Sequence, residues 1–566
     1  MNDRGPDIPD IQGLILAAGY GTRLAPLTDA VPKPLLPVGG KTLLDHAVDT
    51  LTRAGCGNIA VNSHHLGEKV ARHLDGRADR ERFTIFPEAE ILGTGGALDN
   101  ARSFLDLAPH FLIHNGDVLC DAPLAALVRD HVSHGALATL LLVDWPAVNS
   151  VVMNAEGTIV RIGGPQEPLK PGQTALTYTG IGVFSRALLA DIGSGFSSLI
   201  DPLVRAKDQR PGSVRGYAPG GFRWSDLGTP ARYLETLPGD HEATAEIEVR
   251  RITGHGSARR FWRIGLKTSS LVAMVSPPED EEFVRFVAIG RWLKERDLGA
   301  PDLVAVNEAE HSVLMEDVGA DRLYERVLAA EADPAHDYGL VVDHLLRLQG
   351  TTPQARQECP LAVDRVLDTA QLRWETDYFR SRFLVGHCGL SKEEVADLDD
   401  EFASLAAAVA RQPLVLIHRD FQSQNIHLQG QSVRPVDFQG MRLGPLTYDI
   451  MSLLWDPYVA LTSTLRENLL ERFCARASAA HHPSEVYSMA LGAGLQRIMQ
   501  ALGAYSFLGH VKNKPDFLEH IPQGLARLRE LLDAVERQTR APAHPDDSWL
   551  PEQPLHRLHN LLKRVL

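Results

Sequence analysis

Cysteine is scarce in this chain, five in 566 residues. They fall at 56, 120, 359, 388 and 474, with no C-x-x-C pair. Such scatter excludes a disulfide framework and a thiolate zinc site, and a reducing, cytoplasmic setting is the expectation. Long apolar runs are missing as well. No stretch reaches the roughly 18 residues that a membrane helix needs. The opening MNDRGPDIPD lacks the charged-then-apolar order of a signal peptide. Basic charge is in deficit, with 57 Lys and Arg against 72 Asp and Glu for a formal net charge of -15. A general nucleic-acid binder needs a basic face to neutralise phosphates, so that class is excluded, while a local basic pocket for a small anion is not. No nucleic-acid, membrane or obligate protein partner is expected.

What the chain does have is length and alternation. At 566 residues it exceeds one ordinary core and predicts two or more domains. From 11 to about 235, apolar runs at 13–16, 59–62, 111–114 and 137–143 read as buried strands. Between the first two, Leu43, Leu44, Ala47, Val48 and Leu51 fall on one helix face, which Gly55 stops. This alternation predicts a mostly parallel sheet covered on both sides, with ligands beyond the carboxyl ends of its strands. A polar, Gly/Pro-punctuated stretch at 237–246 predicts a boundary. The expected division is a first domain at 11–237, a linker at 238–246 and a second domain at 247–566. The second begins with a small β-rich lobe (247–320) carrying strands at 248–252, 260–266 and 271–275. A mainly helical lobe (321–566) follows, interrupted by a hairpin-like stretch at 415–438.

The first strand runs into LAAGYGTRLAPLTDAVPKPLLPVGGK (16–41). Gly19 and Gly21 give G-x-G, but Leu24 stands where the third glycine of a dinucleotide fingerprint belongs. The glycines let backbone approach a ligand closely, and Thr22 and Arg23 add donors for phosphate oxygens. Prolines stiffen the excursion and hold Lys33 in place, while Lys41 has no assigned task. After the strand at 111–114, Asn115-Gly116-Asp117 offers a carboxylate, and FRWSDLGTP offers Asp226 in a second turn. Together these carboxylates make a candidate Mg²⁺ pair against phosphates.

This set of motifs resembles the sugar-1-phosphate nucleotidyltransferase family, whose signature reads G-x-G-T-R followed by K-P-L-L-P. The resemblance covers about 11–237 and implies an α/β nucleotidyltransferase domain with a Rossmann-like mixed sheet. It implies that Gly19, Gly21, Thr22 and Arg23 surround the nucleotide, that Arg23 and Lys33 act on its phosphates, and that Asp117 and Asp226 hold Mg²⁺. ILGTGGAL (Gly93, Thr94, Gly95, Gly96) would lie by base and sugar, and Asn115, Thr179 and Gly180 by the sugar phosphate. NGDVLCD and WSDLGTP are most similar to uridylyltransferases that recycle N-acetylmuramate 1-phosphate. Those enzymes often read E-T-G-G-G where this chain has Gly93-Thr94-Gly95-Gly96-Ala97. The implied reaction is in-line attack of a sugar phosphate oxygen on the α-phosphorus of UTP, with pyrophosphate leaving.

The second chemical stretch is LVLIHRDFQSQNIHLQGQSVRPVDFQG. His418-Arg419-Asp420 and Asn425 match H-R-D-x-x-x-x-N, and Asp437-Phe438-Gln439 is similar to D-F-G. Apolar runs on either side of Gln429-Gly430-Gln431-Ser432 predict a hairpin that folds Asp437 back beside Asn425. Those two would offer oxygens to the metal of ATP, and Asp420 would accept the proton of an attacking hydroxyl. The stretch resembles the aminoglycoside-phosphotransferase branch of the protein-kinase-like, two-lobed α+β fold, over about 247–566. DFQGMRLGPLTYDIMSLLWDPY is most similar to its anomeric kinases of N-acetylmuramate and N-acetylglucosamine. In that resemblance GHGSARRFWRI is the phosphate-covering turn, and LMEDVG is the adenine hinge, with Glu316 and Val318. The strand at 271–275 has no lysine at the usual phosphate-binding position, which Arg259, Arg260 or Arg263 would have to fill. Asp449 is expected to brace the catalytic loop.

Together the halves imply a salvage pair: ATP and an amino sugar give the 1-phosphate, and UTP then gives the UDP-sugar. One rival is choline kinase joined to phosphocholine cytidylyltransferase, which needs an aromatic cage that Trp374, Tyr378, Phe379, Trp455 and Tyr458 would have to supply. Another is a kinase-like half that senses nucleotide without turnover, favoured by the absent lysine.

Overall fold

The computed structural model describes residues 10–163, 167–252, 258–329, 333–477, 479–540, 549–552 and 555–565. The chain forms two compact units, one of residues up to Pro277 with Val304–Met315, the other of Pro278–Leu303 with Glu316–Leu566.

In the first unit, Ile11–Leu16 is central to a nine-stranded sheet. It pairs in parallel with Ile59–Ser63 on one side and His110–Asn115 on the other. Leu14 points into one apolar layer while Ile11 and Ile15 point into the opposite one, so the alternating strand is buried on both faces. Helix Leu43–Arg53 covers one of them. Its capping box is complete, with Thr42 accepting from the Asp45 amide and Asp45 accepting from the Thr42 amide. Gly13 lies beneath this helix, and a Cβ there would stand 3.1 Å from Leu51 Cδ1.

The sheet is mixed, in contrast to the mostly parallel sheet that alternation predicts. The 13-residue strand Gln173–Ser185 runs antiparallel to three neighbours, including His110–Asn115 and Ala138–Val143. Apolar runs alone carry no direction, so this reversal had no signal in hydrophobic periodicity.

The stretch 238–246 is more than a linker. His241–Ala243 forms an edge strand on Ile247–Ile252, and the buried Glu242 accepts the Gly40 amide at 2.9 Å. The six-stranded sheet continues through Arg260–Leu266, Ser270–Val275, Ser312–Glu316 and Leu303–Asn307. Its residues Val249, Trp262, Ile264, Val275 and Leu314 join the same apolar cluster as Ile15, Leu27 and Leu51. Two regions read as separate domains in sequence thus share one core within this unit. The expected phosphate-covering turn falls partly at 254–257, outside the described residues.

The second unit is helical. Thr369–Phe379, Asp399–Ala410 and Ile521–Arg540 pack around the 28-residue helix Pro483–His510. The expected hairpin is Ile426–Gln429 with Ser432–Pro435, and its turn contains Gly430 at φ +60°. Leu414–Ile417 pairs with Arg442–Pro445 just before and after it. Among the described residues no helix is long and apolar enough to cross a membrane.

Candidate active sites

The first site lies at the carboxyl end of Ile11–Leu16, where the chain leaves the sheet into the glycine-rich loop. Gly21 sits at φ +66°, and a Cβ there would meet Thr28 Cγ2 at 2.8 Å. Only glycine satisfies both the left-handed backbone and that contact. The loop then winds through Thr22–Leu24 and the short turn Lys33–Leu35, with Pro32 and Pro34 beside the lysine. A cavity of about 320 Å³ opens here, lined among others by Gly19, Thr22, Arg23, Lys33, Thr94 and Asp117.

Lys33 is only 7% exposed and donates from Nζ to Asp117 Oδ2 at 2.7 Å. Burying an ammonium group is costly unless it faces an anion, and Asp117 is that anion. Asp226 arrives by a separate route. Trp224–Asp226 pairs antiparallel with Val118–Cys120, and Asp226 is opposite Val118, the residue after Asp117. The Leu227 amide donates to the Asp117 carbonyl at 3.3 Å, closing the two turns on each other. Gly228 completes the arrangement, since a Cβ there would stand 2.7 Å from an Arg23 nitrogen and 3.0 Å from Asp226 Oδ1. Two carboxylates on adjacent turns beside a cationic cavity are hard oxygen donors that suit Mg²⁺.

A buried bracket that sequence reading missed holds the loop's entry. Asn62 accepts the Ala17 amide at 2.6 Å and donates to Glu88 at 2.7 Å, and Glu88 accepts the Leu92 amide at 2.9 Å. These three strand ends are far apart in sequence, which is why no local motif reveals them.

The other expected residues divide. From the glycine-rich run, Thr94 lines the cavity, whereas Gly93, Gly95 and Gly96 are pressed against 195–198. A Cβ on Gly96 would approach the Gly195 carbonyl to 2.3 Å, so these glycines serve loop packing. Asn115 lines the cavity, and Gly180 makes room for its amide. Thr179 is buried and donates its hydroxyl to the Leu141 carbonyl at 2.9 Å, away from the cavity. Lys41 pairs with Asp49 at 2.6 Å on the helix surface and has no part in the site.

The second site is built on the hairpin. The Val436 amide donates to the Asn425 carbonyl at 2.9 Å, which brings Asp437 back to Asn425 as expected from spacing. Asn425 Nδ2 donates to the Asp420 carbonyl at 2.9 Å, so the amide oxygen is the atom of this side chain that could ligate a cation. Asp437 adopts φ +65° and accepts from Gln439 at 2.6 Å. Oxygen donors from Asn425 and Asp437 again suit Mg²⁺.

Asp420 is surrounded by positive charge, with Arg497 at 3.6 Å and Arg419 at 3.9 Å. Burial alone would raise its pKa, but Arg419, Arg497 and His418 hold it below the usual value, which favours the ionised carboxylate. Arg419 adopts φ +78°, a strained position for a side chain of its size. Asp449 pins it there, accepting the amides of His418 at 2.5 Å and Arg419 at 3.0 Å. Burial outweighs those donors and pushes the Asp449 carboxyl up to about 7. Sequence reading missed Arg497 and the buried Glu375, which faces Arg419 at 3.9 Å; both come from distant helices and carry no local signature.

The expected nucleotide contacts are partly engaged within the protein. Arg434 holds the Glu316 carboxylate at 2.6 Å, and the Glu316 amide donates to the Asp302 carbonyl at 2.8 Å. Val318 is buried. Arg260 pairs with Glu235 and lies over the Trp262 ring, while Arg259 has interactions of its own. The aromatic residues a choline cage would need are each engaged with other side chains. Trp374 stacks on Tyr378, Phe379 stacks on Phe383 in the core, and Tyr458 packs on His520. Trp455 already carries Arg466 on its face.

Residues 12–242 match the family described as nucleotidyl transferase, and residues 248–487 match the phosphotransferase enzyme family. N-acetylmuramate alpha-1-phosphate uridylyltransferase of Neisseria meningitidis is 34% identical over 236 residues, covering 40% of this chain and 96% of that protein. Mannose-1-phosphate guanylyltransferase catalytic subunit beta of Drosophila pseudoobscura pseudoobscura is 33% identical over 230 residues, 39% of this chain and 60% of the relative. The corresponding subunit of Xenopus tropicalis is 32% identical over 233 residues, 40% of this chain and 63% of that protein. This chain therefore spans less than two thirds of those guanylyltransferase subunits.

Proposed function

The chain belongs to the nucleotidyl transferase family, with a phosphotransferase-family domain fused behind it, and from that premise we propose a two-step amino-sugar enzyme. The phosphotransferase half phosphorylates N-acetylmuramate, N-acetylglucosamine or both at the anomeric hydroxyl with ATP. The nucleotidyl transferase half then joins that 1-phosphate to the uridylyl group of UTP, releasing pyrophosphate, as a step of cell-wall sugar salvage in the cytoplasm. The observation that carries this reading is the coexistence of a cationic cavity at Arg23 and Lys33 with a phosphotransfer loop at Asp420, Asn425 and Asp437.

In the first step, Asp420 takes the proton of the anomeric hydroxyl as its oxygen attacks the γ-phosphorus of ATP and ADP leaves. Arg419 and Arg497 keep Asp420 ionised, and one of Arg259, Arg260 and Arg263 meets the phosphates in place of the absent lysine. The same two arginines make the surroundings of Asp420 unfavourable for the quaternary ammonium of choline. In the second step, Gly19, Gly21 and Thr22 admit the triphosphate, and Arg23 and Lys33 neutralise it. Lys33 exchanges its bond to Asp117 for one to phosphate, which frees that carboxylate. Thr94 and Asn115 fix the nucleotide and acceptor ends of the cavity. Asp117 with Asp226, and Asn425 with Asp437, would hold Mg²⁺, which would supply charge neutralisation on the phosphates.

The test is product identification. The protein is incubated with ATP, the four nucleoside triphosphates singly, Mg²⁺ and a panel of N-acetylmuramate, N-acetylglucosamine, other hexoses and choline. The expected product by mass is a UDP-N-acetyl amino sugar. A CDP-choline product, or no nucleotide sugar from either amino sugar, overturns the proposal.

A further inference from the structure

Beside Asp226 lies a second cavity, of about 340 Å³, lined among others by Trp145, Trp224, Arg232 and Glu235. Trp145 and Trp224 meet edge to face at 5.1 Å, and the Arg232 guanidinium lies 4.7 Å over the Trp145 ring. Arg232 also faces two carboxylates. Its terminal nitrogen donates to Asp226 Oδ2 at 3.3 Å, and its Nε forms an ion pair with Glu310 Oε1 at 2.9 Å. Glu310 is no part of the nucleotidyl transferase region. It comes from the turn between Leu303–Asn307 and Ser312–Glu316, inside the phosphotransferase-family match.

Glu310 is itself held. Asn307 Nδ2 donates to Glu310 Oε2 at 3.2 Å, and Asn307 Oδ1 accepts the Glu310 amide at 3.2 Å. The carboxylate that grips Arg232 is therefore oriented from behind, and its side chain is only 21% exposed. An arginine next to a lone carboxylate closes into a short bidentate pair, with bonds of about 2.7–2.9 Å. Here Glu310 takes the Nε edge, and the bond to Asp226 stays at 3.3 Å. Two consequences follow. Asp226 keeps lone pairs for a cation, and the terminal nitrogen of Arg232 that does not bond Asp226 remains for an anion in the cavity.

The geometry points to Glu310 as a positioning residue for nucleotidyl transfer, holding Arg232 so that it binds the phosphate of the sugar 1-phosphate acceptor and engages Asp226 through one long bond only. This inference rests on the proposed function for its acceptor, and it makes the phosphotransferase-family segment part of the other reaction's machinery. The aromatic pair gives the sugar ring an apolar wall next to that phosphate.

The test uses the full chain with N-acetylglucosamine α-1-phosphate and UTP, and a separate titration of Mn²⁺ followed by electron paramagnetic resonance without substrates. Glu310→Gln is expected to raise the acceptor KM roughly tenfold, the scale of one charge-assisted hydrogen bond, with kcat and the UTP KM within about twofold of the parent. It is also expected to weaken Mn²⁺ binding, because Arg232 closes on Asp226. Glu310→Asp should recover part of both effects. Glu246→Gln is the control. It cuts the bonds of Glu246 to Lys69 and Lys267, another tie between the same sheet and the same domain, and should leave both readouts unchanged. Unchanged KM and Mn²⁺ affinity in Glu310→Gln, or equal changes in Glu246→Gln, overturn the inference. If the parent turns over neither N-acetylglucosamine α-1-phosphate nor N-acetylmuramate α-1-phosphate with UTP, the functional reading fails. The Mn²⁺ titration then still decides whether Glu310 governs Asp226, with unchanged affinity overturning that role.

Discussion

Lys33 and Asp117 show how one bond serves both stability and chemistry. Asp117→Ala leaves an ammonium group 7% exposed with its carboxylate partner gone. It is expected to lower stability by about 1–2 kcal/mol, discounted for the partly exposed aspartate, and to halt nucleotidyl transfer. With amino sugar, ATP and UTP supplied, the sugar 1-phosphate should accumulate; continued UDP-sugar formation would refute the assignment. Asp420→Asn should do the reverse. Phosphoryl transfer should fall by about 10²–10⁴-fold while a supplied sugar 1-phosphate is still converted, and unchanged ADP release would refute the role of Asp420. At this scale sequence was most informative where residues lie within one turn or hairpin. Gly21, Arg23 and Lys33, or Asp420, Asn425 and Asp437, are each close enough along the chain for spacing to imply proximity. Glu310, Arg497 and the Asn62–Glu88 bracket reach their sites from distant elements, and no spacing rule links them.

Elements carry these residues by burying what lies behind them. Leu43–Arg53 fixes the sheet under the glycine-rich loop through Leu44, Ala47, Val48 and Leu51, all buried. Leu51→Ala should cost about 2–5 kcal/mol in urea unfolding with little change in KM for substrates that reach a folded site. A large KM change at unchanged stability would contradict that division of labour. In the helical unit, the brace from Asp449 to the amides of His418 and Arg419 plays the same supporting part. Helix and hairpin boundaries were legible because periodicity and turn chemistry are local. Strand direction was not, so the antiparallel Gln173–Ser185 strand emerged only from the fold. The strand at His241–Ala243 was hidden for a related reason, since its polar residues read as a connector until Glu242 is seen capping the Gly40 amide.

Across the molecule, buried histidines set the response to acid. Burial lowers His114 and His131 to about 4, and His344 to about 3, all below the ordinary value of 6.5. Between those values the unfolded chain binds more protons, so the stability these groups contribute is present above about pH 6.5 and lost as pH falls toward 4. The urea midpoint should therefore drop between pH 7 and pH 5, and a flat or rising profile would contradict their buried neutral state. Asp449 works in the opposite sense, since a carboxyl raised to about 7 favours the folded state at lower pH. The two-part organisation was legible from motifs, but the shared core of the first unit was not. Val249, Trp262 and Ile264 look like any small-sheet interior until they are found packed with Ile15 and Leu27.

In the proposed reading both reactions run in series on one chain, and an isotope can follow the transferred atom. The protein is given ATP labelled in the γ-phosphate with ³²P, unlabelled UTP, Mg²⁺ and N-acetylmuramate or N-acetylglucosamine. The label is expected in the UDP-sugar, in the phosphate bonded to the sugar, with none in pyrophosphate. Label that stays in ATP or stops at inorganic phosphate, with no labelled nucleotide sugar, would contradict the two-step reading.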